Sequence, residues 1–297
     1  MHTLPNILKT LAMSWVLLLP LSHSAQPDYV KLDLNFDDYK IPRAEFIIDG
    51  YSTTASIDTG SALGFHLKED EMKNIKNLKK SRDYRSTDGS GRIQTNSEYI
   101  AKNLNLNGLM LSDVIVTPFK PWGMLFSGEG ELPDSSVIGL DAFKNKIITL
   151  DYRDKSMTIA NNASYAGLLK NFGEYDFNLT HDGLMFEVEQ SDIKYHFMLD
   201  TGATTSVIWK ERLKKHHAGK CLVVDTDMDN IIDDEDCEAT EMTLISKQGQ
   251  ETKFGAFIAP GSFKHMDKID GMIGNNLIKK RVIILDFLNK KIFISNQ

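Results

Sequence analysis

The chain has 297 residues, of which 41% are hydrophobic and 25% charged. That balance excludes a disordered or collagen-like polymer, and only two cysteines exclude a disulfide-dense miniprotein. A net charge of -7 without a basic block excludes the electrostatic footprint of a nucleic-acid binder, so no nucleic acid is expected as a partner.

At the N-terminus, Lys9 is the one charged side chain before Asp28, and Leu11 to Leu21 reads LAMSWVLLLPL. The run is too short to span a bilayer, and the small residues Ser22 and Ser24 follow it. Residues 1–25 therefore read as a secretory signal cleaved after Ser24 or Ala25. The expected product is periplasmic or secreted, with no stable membrane anchor. A buried N-terminal helix or an anchor is the alternative reading.

The rest of the chain is written twice. Phe46 to Tyr51 leads through Ser56-Ile57 into Asp58-Thr59-Gly60-Ser61. Phe186 to Glu189 leads through Phe197-Met198-Leu199 into Asp200-Thr201-Gly202-Ala203. Both passages predict a β-hairpin whose second strand ends in an Asp-Thr-Gly turn, with Asp49-Gly50 as a hairpin signal in the first. Each turn precedes an apolar stretch and a helix-like segment, KEDEMKNIKNL from Lys68 and WKERLKK from Trp209. Further on, Val137-Ile138-Gly139 matches Met272-Ile273-Gly274, and KIITLDYRDKSMTIA from Lys146 matches RVIILDFLNKKIFIS from Arg281. The prediction is an all-β chain of two similar lobes, residues 26–165 and 166–297, with few short helices.

One Asp-Thr-Gly is no more than a strand-ending turn, but two at matching places in a duplicated unit form a pattern. An apolar residue precedes each aspartate, Ile57 and Leu199, so each carboxyl is expected at the buried end of a strand. There it must be hydrogen-bonded or share a proton. The two turns resemble the active-site loops of aspartic proteases. The segments ending in Gly139 and Gly274 resemble the stretch that passes beside each loop, and Ile273-Gly274-Asn275-Asn276-Leu277 is close to the retroviral-type pattern. The short halves are similar to retropepsins, and their fusion in one chain is similar to pepsins.

The resemblance implies two pepsin/retropepsin-like lobes with the active site between them. It implies an aspartic endopeptidase using Asp58 and Asp200 on a polypeptide substrate, with no cofactor for catalysis. Thr59 and Thr201 would lock the loops together, and Gly60 and Gly202 would let backbone N–H groups approach the carboxyls. Ser61, unlike Ala203, can donate a hydrogen bond, so Asp58 is expected to ionise more readily than Asp200. A flap is expected over Arg82 to Glu98, with Asp88-Gly89-Ser90-Gly91 at its tip; a plain surface hairpin is the alternative. Because one chain supplies both halves, a monomer suffices. The rival function is a non-catalytic peptide-binding protein on a protease fold.

Two further features lie in the second half. Cys221 and Cys237 are expected to pair, as an even count in an exported chain favours; two unpaired thiols are the alternative. Between them, the acidic stretch resembles a calcium loop. Asp225, Asp227, Asp229, Asp233 and Asp236 fall at side-chain ligand positions, and Ile231 would supply its backbone oxygen. Asn230 stands where glycine is usual, and Asp236 where glutamate is usual. A structural Ca2+ in loop 221–237 is the expectation, with a solvated acidic loop as the alternative.

Overall fold

The computed structural model describes residues 27–87, 93–121, 134–162, 165, 169–180, 183–214, 219–220, 238–260 and 268–296. The signal-like segment, the tip Asp88 to Gly91, Cys221, Cys237 and the acidic loop Asp225 to Asp236 lie outside the described residues.

The described chain is mostly β-strand. Its repeated passages take matching places in two sheets. In the first half the strands run, in hydrogen-bonded order, Pro42–Ile48, Tyr51–Ile57, Ser136–Ile138, Phe65–Leu67, Leu109–Pro118, Ile93–Leu106 and Leu78–Thr87. In the second half the order is Gly183–Gln190, Ile193–Leu199, Gly271–Ile273, Val207–Trp209, Glu251–Ala259, Glu238–Ile245 and Gly219–Lys220, with Asn178–Thr180 added at the outer edge. Each series curls back on itself. Ile48 pairs with Leu106 in the first, and Glu189 with Thr243 in the second.

The halves meet in an antiparallel ribbon whose order is Phe172–Asp176, Lys291–Ser295, Val282–Asp286, Ile147–Asp151, Ser156–Ala160 and Tyr29–Phe36. Thr149 pairs with Ile284, its own counterpart in the sequence repeat. A local two-fold axis therefore passes between equivalent residues. Alternation sends Ile148, Leu150, Ile283 and Leu285 to one face of this ribbon, where they are buried. That face joins the core of the first half, around Phe46, Phe65 and Leu104, to that of the second, around Tyr195, Phe197 and Met242, in one apolar cluster.

The hairpin turns are sharp in both copies. Asp49 and Gly50 have φ of 50° and 94°, and Ser191 and Asp192 have 50° and 65°. Successive left-handed residues match the twist of the flanking strands, so Ser191-Asp192 forms the turn without glycine.

The helix-like segments are a correction. KEDEMKNIKNL yields one turn of α-helix, Glu69–Met72. Asn77 then takes φ of 57°, and Leu78 pairs with Ala101 to open a long strand. WKERLKK forms no helix over its described residues, 209–214. Trp209 is buried and paired with Ala259 in a parallel ladder, and the chain turns directly after it. Tertiary pairing has overridden helical propensity in both places.

Candidate active site

Each Asp-Thr-Gly turn starts where a strand stops. The Asp58 N–H donates to Ile138 O at 3.0 Å, and the Asp200 N–H to Ile273 O at 2.9 Å, continuing the parallel ladders of Tyr51–Ile57 and Ile193–Leu199. The turns close through Ser61 N to Asp58 O, 3.3 Å, and Ala203 N to Asp200 O, 3.2 Å. Gly139 and Gly274 run so close beside the loops that a side chain has no room. A Cβ on Gly139 would lie 2.1 Å from Leu63 O, and one on Gly274 would lie 2.4 Å from the Thr205 carbonyl carbon.

The two threonines fasten one loop to the other. Thr59 Oγ1 donates to Leu199 O at 2.9 Å and accepts the Thr201 N–H at 3.0 Å. Thr201 Oγ1 donates to Ile57 O at 2.6 Å and accepts the Thr59 N–H at 3.0 Å. Both side chains are buried, so each hydrogen bond forms where water does not compete.

This interlock brings Asp58 and Asp200 together. Their carboxyls hydrogen-bond each other. Asp58 Oδ1 accepts the N–H groups of Gly60, 2.8 Å, and Ser61, 3.2 Å; Asp200 Oδ1 accepts that of Gly202 at 2.8 Å. The loops also reach across. A Cβ on Gly60 would lie 2.6 Å from Cγ of Asp200, and one on Gly202 would lie 2.9 Å from Cγ of Asp58. Glycine is required at both positions because each faces the opposite carboxyl.

Burial raises the pKa of both aspartates above the ordinary carboxylate value of 3.8. Asp58 is restrained by hydrogen bonds from Asp200 and from the Gly60 and Ser61 amides. Asp200 is raised much further, by burial and then by the charge and hydrogen bond of Asp58. Two carboxyls so raised and so close are suited to share one proton between them, titrating as a pair.

The sequence expectation for Asp58 rests on the Ser61 hydroxyl, and that hydroxyl is engaged elsewhere. Ser61 serves Asp58 through its backbone N–H, whereas its hydroxyl is 2.9 Å from Nε2 of His66. His66 Nδ1 is in turn 2.8 Å from Thr117 Oγ1. Burial pushes the imidazole down to about 4, so it is neutral over most of the pH range. Sequence reasoning missed this residue. Its signal was a polar ring between Phe65 and Leu67, placed by strand alternation on the opposite face.

A second network supports the other loop. Tyr152, from the first half, donates its phenol to Asn275 Oδ1 at 3.1 Å, and Asn275 Nδ2 donates to Thr201 O at 2.9 Å. The counterparts of this pair are Phe287 and Leu140, so the Asp58 loop has no such polar brace. Ser206 and Asn276 also hold the passing segment, with Ser206 Oγ accepting the Gly274 N–H at 3.0 Å and donating to Asn276 Oδ1 at 2.7 Å. Among the described residues no cluster of His, Cys, Asp and Glu is arranged to hold a metal ion.

No family model matches the chain, and no curated protein is similar to it in sequence. Its fold is similar to that of basic 7S globulin from soybean, at 9% identity and a TM-score of 0.56, covering 90% of this chain and 95% of that one. It is similar to an aspartic proteinase from Irpex lacteus at 11% identity and a TM-score of 0.54, covering 91% and 97%. It is also similar to conglutin gamma, a basic 7S globulin from lupine seeds, at 8% identity and a TM-score of 0.51, covering 92% and 96%. At such identities the likeness is one of fold alone: this chain has an all-β fold borne by an aspartic proteinase and by seed globulins.

Proposed function

We propose that the chain is an aspartic-type endopeptidase of two pepsin-like lobes, with Asp58 and Asp200 acting on a water between them. One observation supports this above all. The two carboxyls face each other across a hydroxyl-locked pair of loops, with burial raising both pKa values. An arrangement that serves only stability would not leave two acids bonded to each other and partly accessible.

In the reaction, the Asp58 carboxylate takes a proton from water as the oxygen attacks the peptide carbonyl carbon. Protonated Asp200 donates to the carbonyl oxygen, giving a neutral gem-diol. Collapse breaks the C–N bond, returns a hydroxyl proton to Asp200, and delivers the proton held by Asp58 to the leaving nitrogen. The Gly60, Ser61 and Gly202 amides fix the carboxyl orientations throughout, so the dyad needs little rearrangement. On this reading residues 26–165 and 166–297 are the lobes, extended polypeptide is the substrate, and one chain suffices.

Because seed globulins also bear this fold, peptide binding without turnover is the second reading. Digestion of an unfolded protein by the wild-type chain and by Asp58→Asn separates them. Cleavage that disappears in the variant supports the protease. Peptide binding by both forms with no new termini supports the binder.

A further inference from the structure

His66 lies in the short strand Phe65–Leu67, between two buried apolar residues. Its ring is held at both nitrogens, by Ser61 Oγ at 2.9 Å and Thr117 Oγ1 at 2.8 Å. A neutral imidazole has one donor and one acceptor, and a hydroxyl can play either role, so one tautomer satisfies both partners. The contacts continue in both directions. On one side Ser61 donates its N–H to Asp58. On the other, Thr117 stands on the strand Leu109–Pro118, whose neighbour Ile93–Leu106 pairs in turn with Leu78–Thr87. On that last strand pair Arg82 and Glu98 are bonded to each other at 2.9 Å.

The second loop has no counterpart of this chain. Counting from each aspartate, Ala203 stands opposite Ser61 and the buried Ile208 opposite His66. The polar bridge therefore belongs to the Asp58 side alone and answers no demand of the shared fold.

We propose that His66 is a positioning residue, tying the loop that aims Asp58 to the strand Leu109–Pro118 and, through the ladder of that strand, to the hairpin formed by Leu78–Thr87 and Ile93–Leu106. This rests on the reading of Asp58 and Asp200 as the reacting pair. It adds a mechanical link between Asp58 and that hairpin. His66 touches no reacting atom itself. Its effect passes through Ser61.

The test uses the full chain with His66→Phe, His66→Gln and Thr117→Val, read by amide hydrogen exchange and by steady-state kinetics on an unfolded protein. His66→Phe should exchange about tenfold faster over residues 58–64 and 78–87, with residues 200–206 unchanged. Its kcat should fall about tenfold while KM stays within about twofold. His66→Gln, which keeps one bond, should recover part of both effects, and Thr117→Val should loosen residues 78–87 more than 58–64. Unchanged exchange at residues 58–64, or an equal rise around both aspartates, overturns the proposal. Should Asp58→Asn leave cleavage intact, the protease reading falls, and the exchange pattern still decides the role of His66.

Discussion

Thr201→Val is the sharpest probe of the loop interlock. The valine keeps the shape of the side chain but can neither accept the Thr59 N–H at 3.0 Å nor donate to Ile57 O at 2.6 Å. Two net hydrogen bonds of about 1 kcal/mol each are lost, and the buried Thr59 N–H adds about 1–3 kcal/mol as an orphaned donor. The expected destabilisation is therefore about 4 kcal/mol, large for one buried hydroxyl. Thr201→Ser keeps the hydroxyl and loses one methyl, at about 1 kcal/mol. Urea unfolding followed by tryptophan fluorescence measures both, since Trp209 is buried in the same half. If Thr201→Val unfolds within about 0.5 kcal/mol of Thr201→Ser, the hydroxyl exchange is not what holds the loops together. Peptidase activity should vanish in the valine variant even where it remains folded, because the carboxyls lose their common mount.

Other expectations follow from the same geometry. The pH–rate profile should be bell-shaped, its acid limb above the ordinary carboxylate value of 3.8 and its alkaline limb well above that, since both aspartates are raised and one proton must be present; a plateau extending through 3.8 contradicts the shared-proton reading. A carboxyl raised in the folded state stabilises it at acid pH and loses that contribution as pH rises through the raised value. Asp200→Asn should therefore be inactive yet lose less stability than the wild type on going from acid to neutral pH, as thermal melts at several pH values will measure. Gly60→Ala would put a methyl 2.6 Å from the Asp200 carboxyl, so kcat should fall about 100-fold with the fold intact by circular dichroism. Tyr152→Phe removes the donor to buried Asn275 and should cost about 1–2 kcal/mol in urea unfolding.

The site was legible because the chain writes it twice. A turn such as Asp58-Thr59-Gly60 is uninformative alone, but the second copy at Asp200, with Ile138-Gly139 and Ile273-Gly274 following in register, specifies which strands must lie side by side. The strand order of both halves follows that repeat. What stayed hidden depends on partners far along the chain. Lys68 to Leu78 has helical composition, yet the long ladder with Ile93–Leu106 claims Leu78 and leaves one helical turn. The ring of His66 meets Ser61 nearby but Thr117 only after parallel pairing aligns Phe65–Leu67 with Leu109–Pro118. Likewise, Tyr152 and Asn275 meet only when the two halves are assembled. Sequence logic gives the Ser61 hydroxyl to the nearest carboxyl, whereas in the fold the imidazole of His66 takes it.

The axis between Thr149 and Ile284 relates two backbones but not two identical sequences. Were the same arrangement built by a polypeptide pairing with its own copy, every substitution near one acid would recur near the other. Here the two surroundings are inherited independently. A change at His66 leaves Ile208 alone, and a change at Tyr152 leaves Phe287 alone. Evolution can thus specialise one acid to keep its hydrogen and the other to give its hydrogen up, a freedom that exact symmetry forbids.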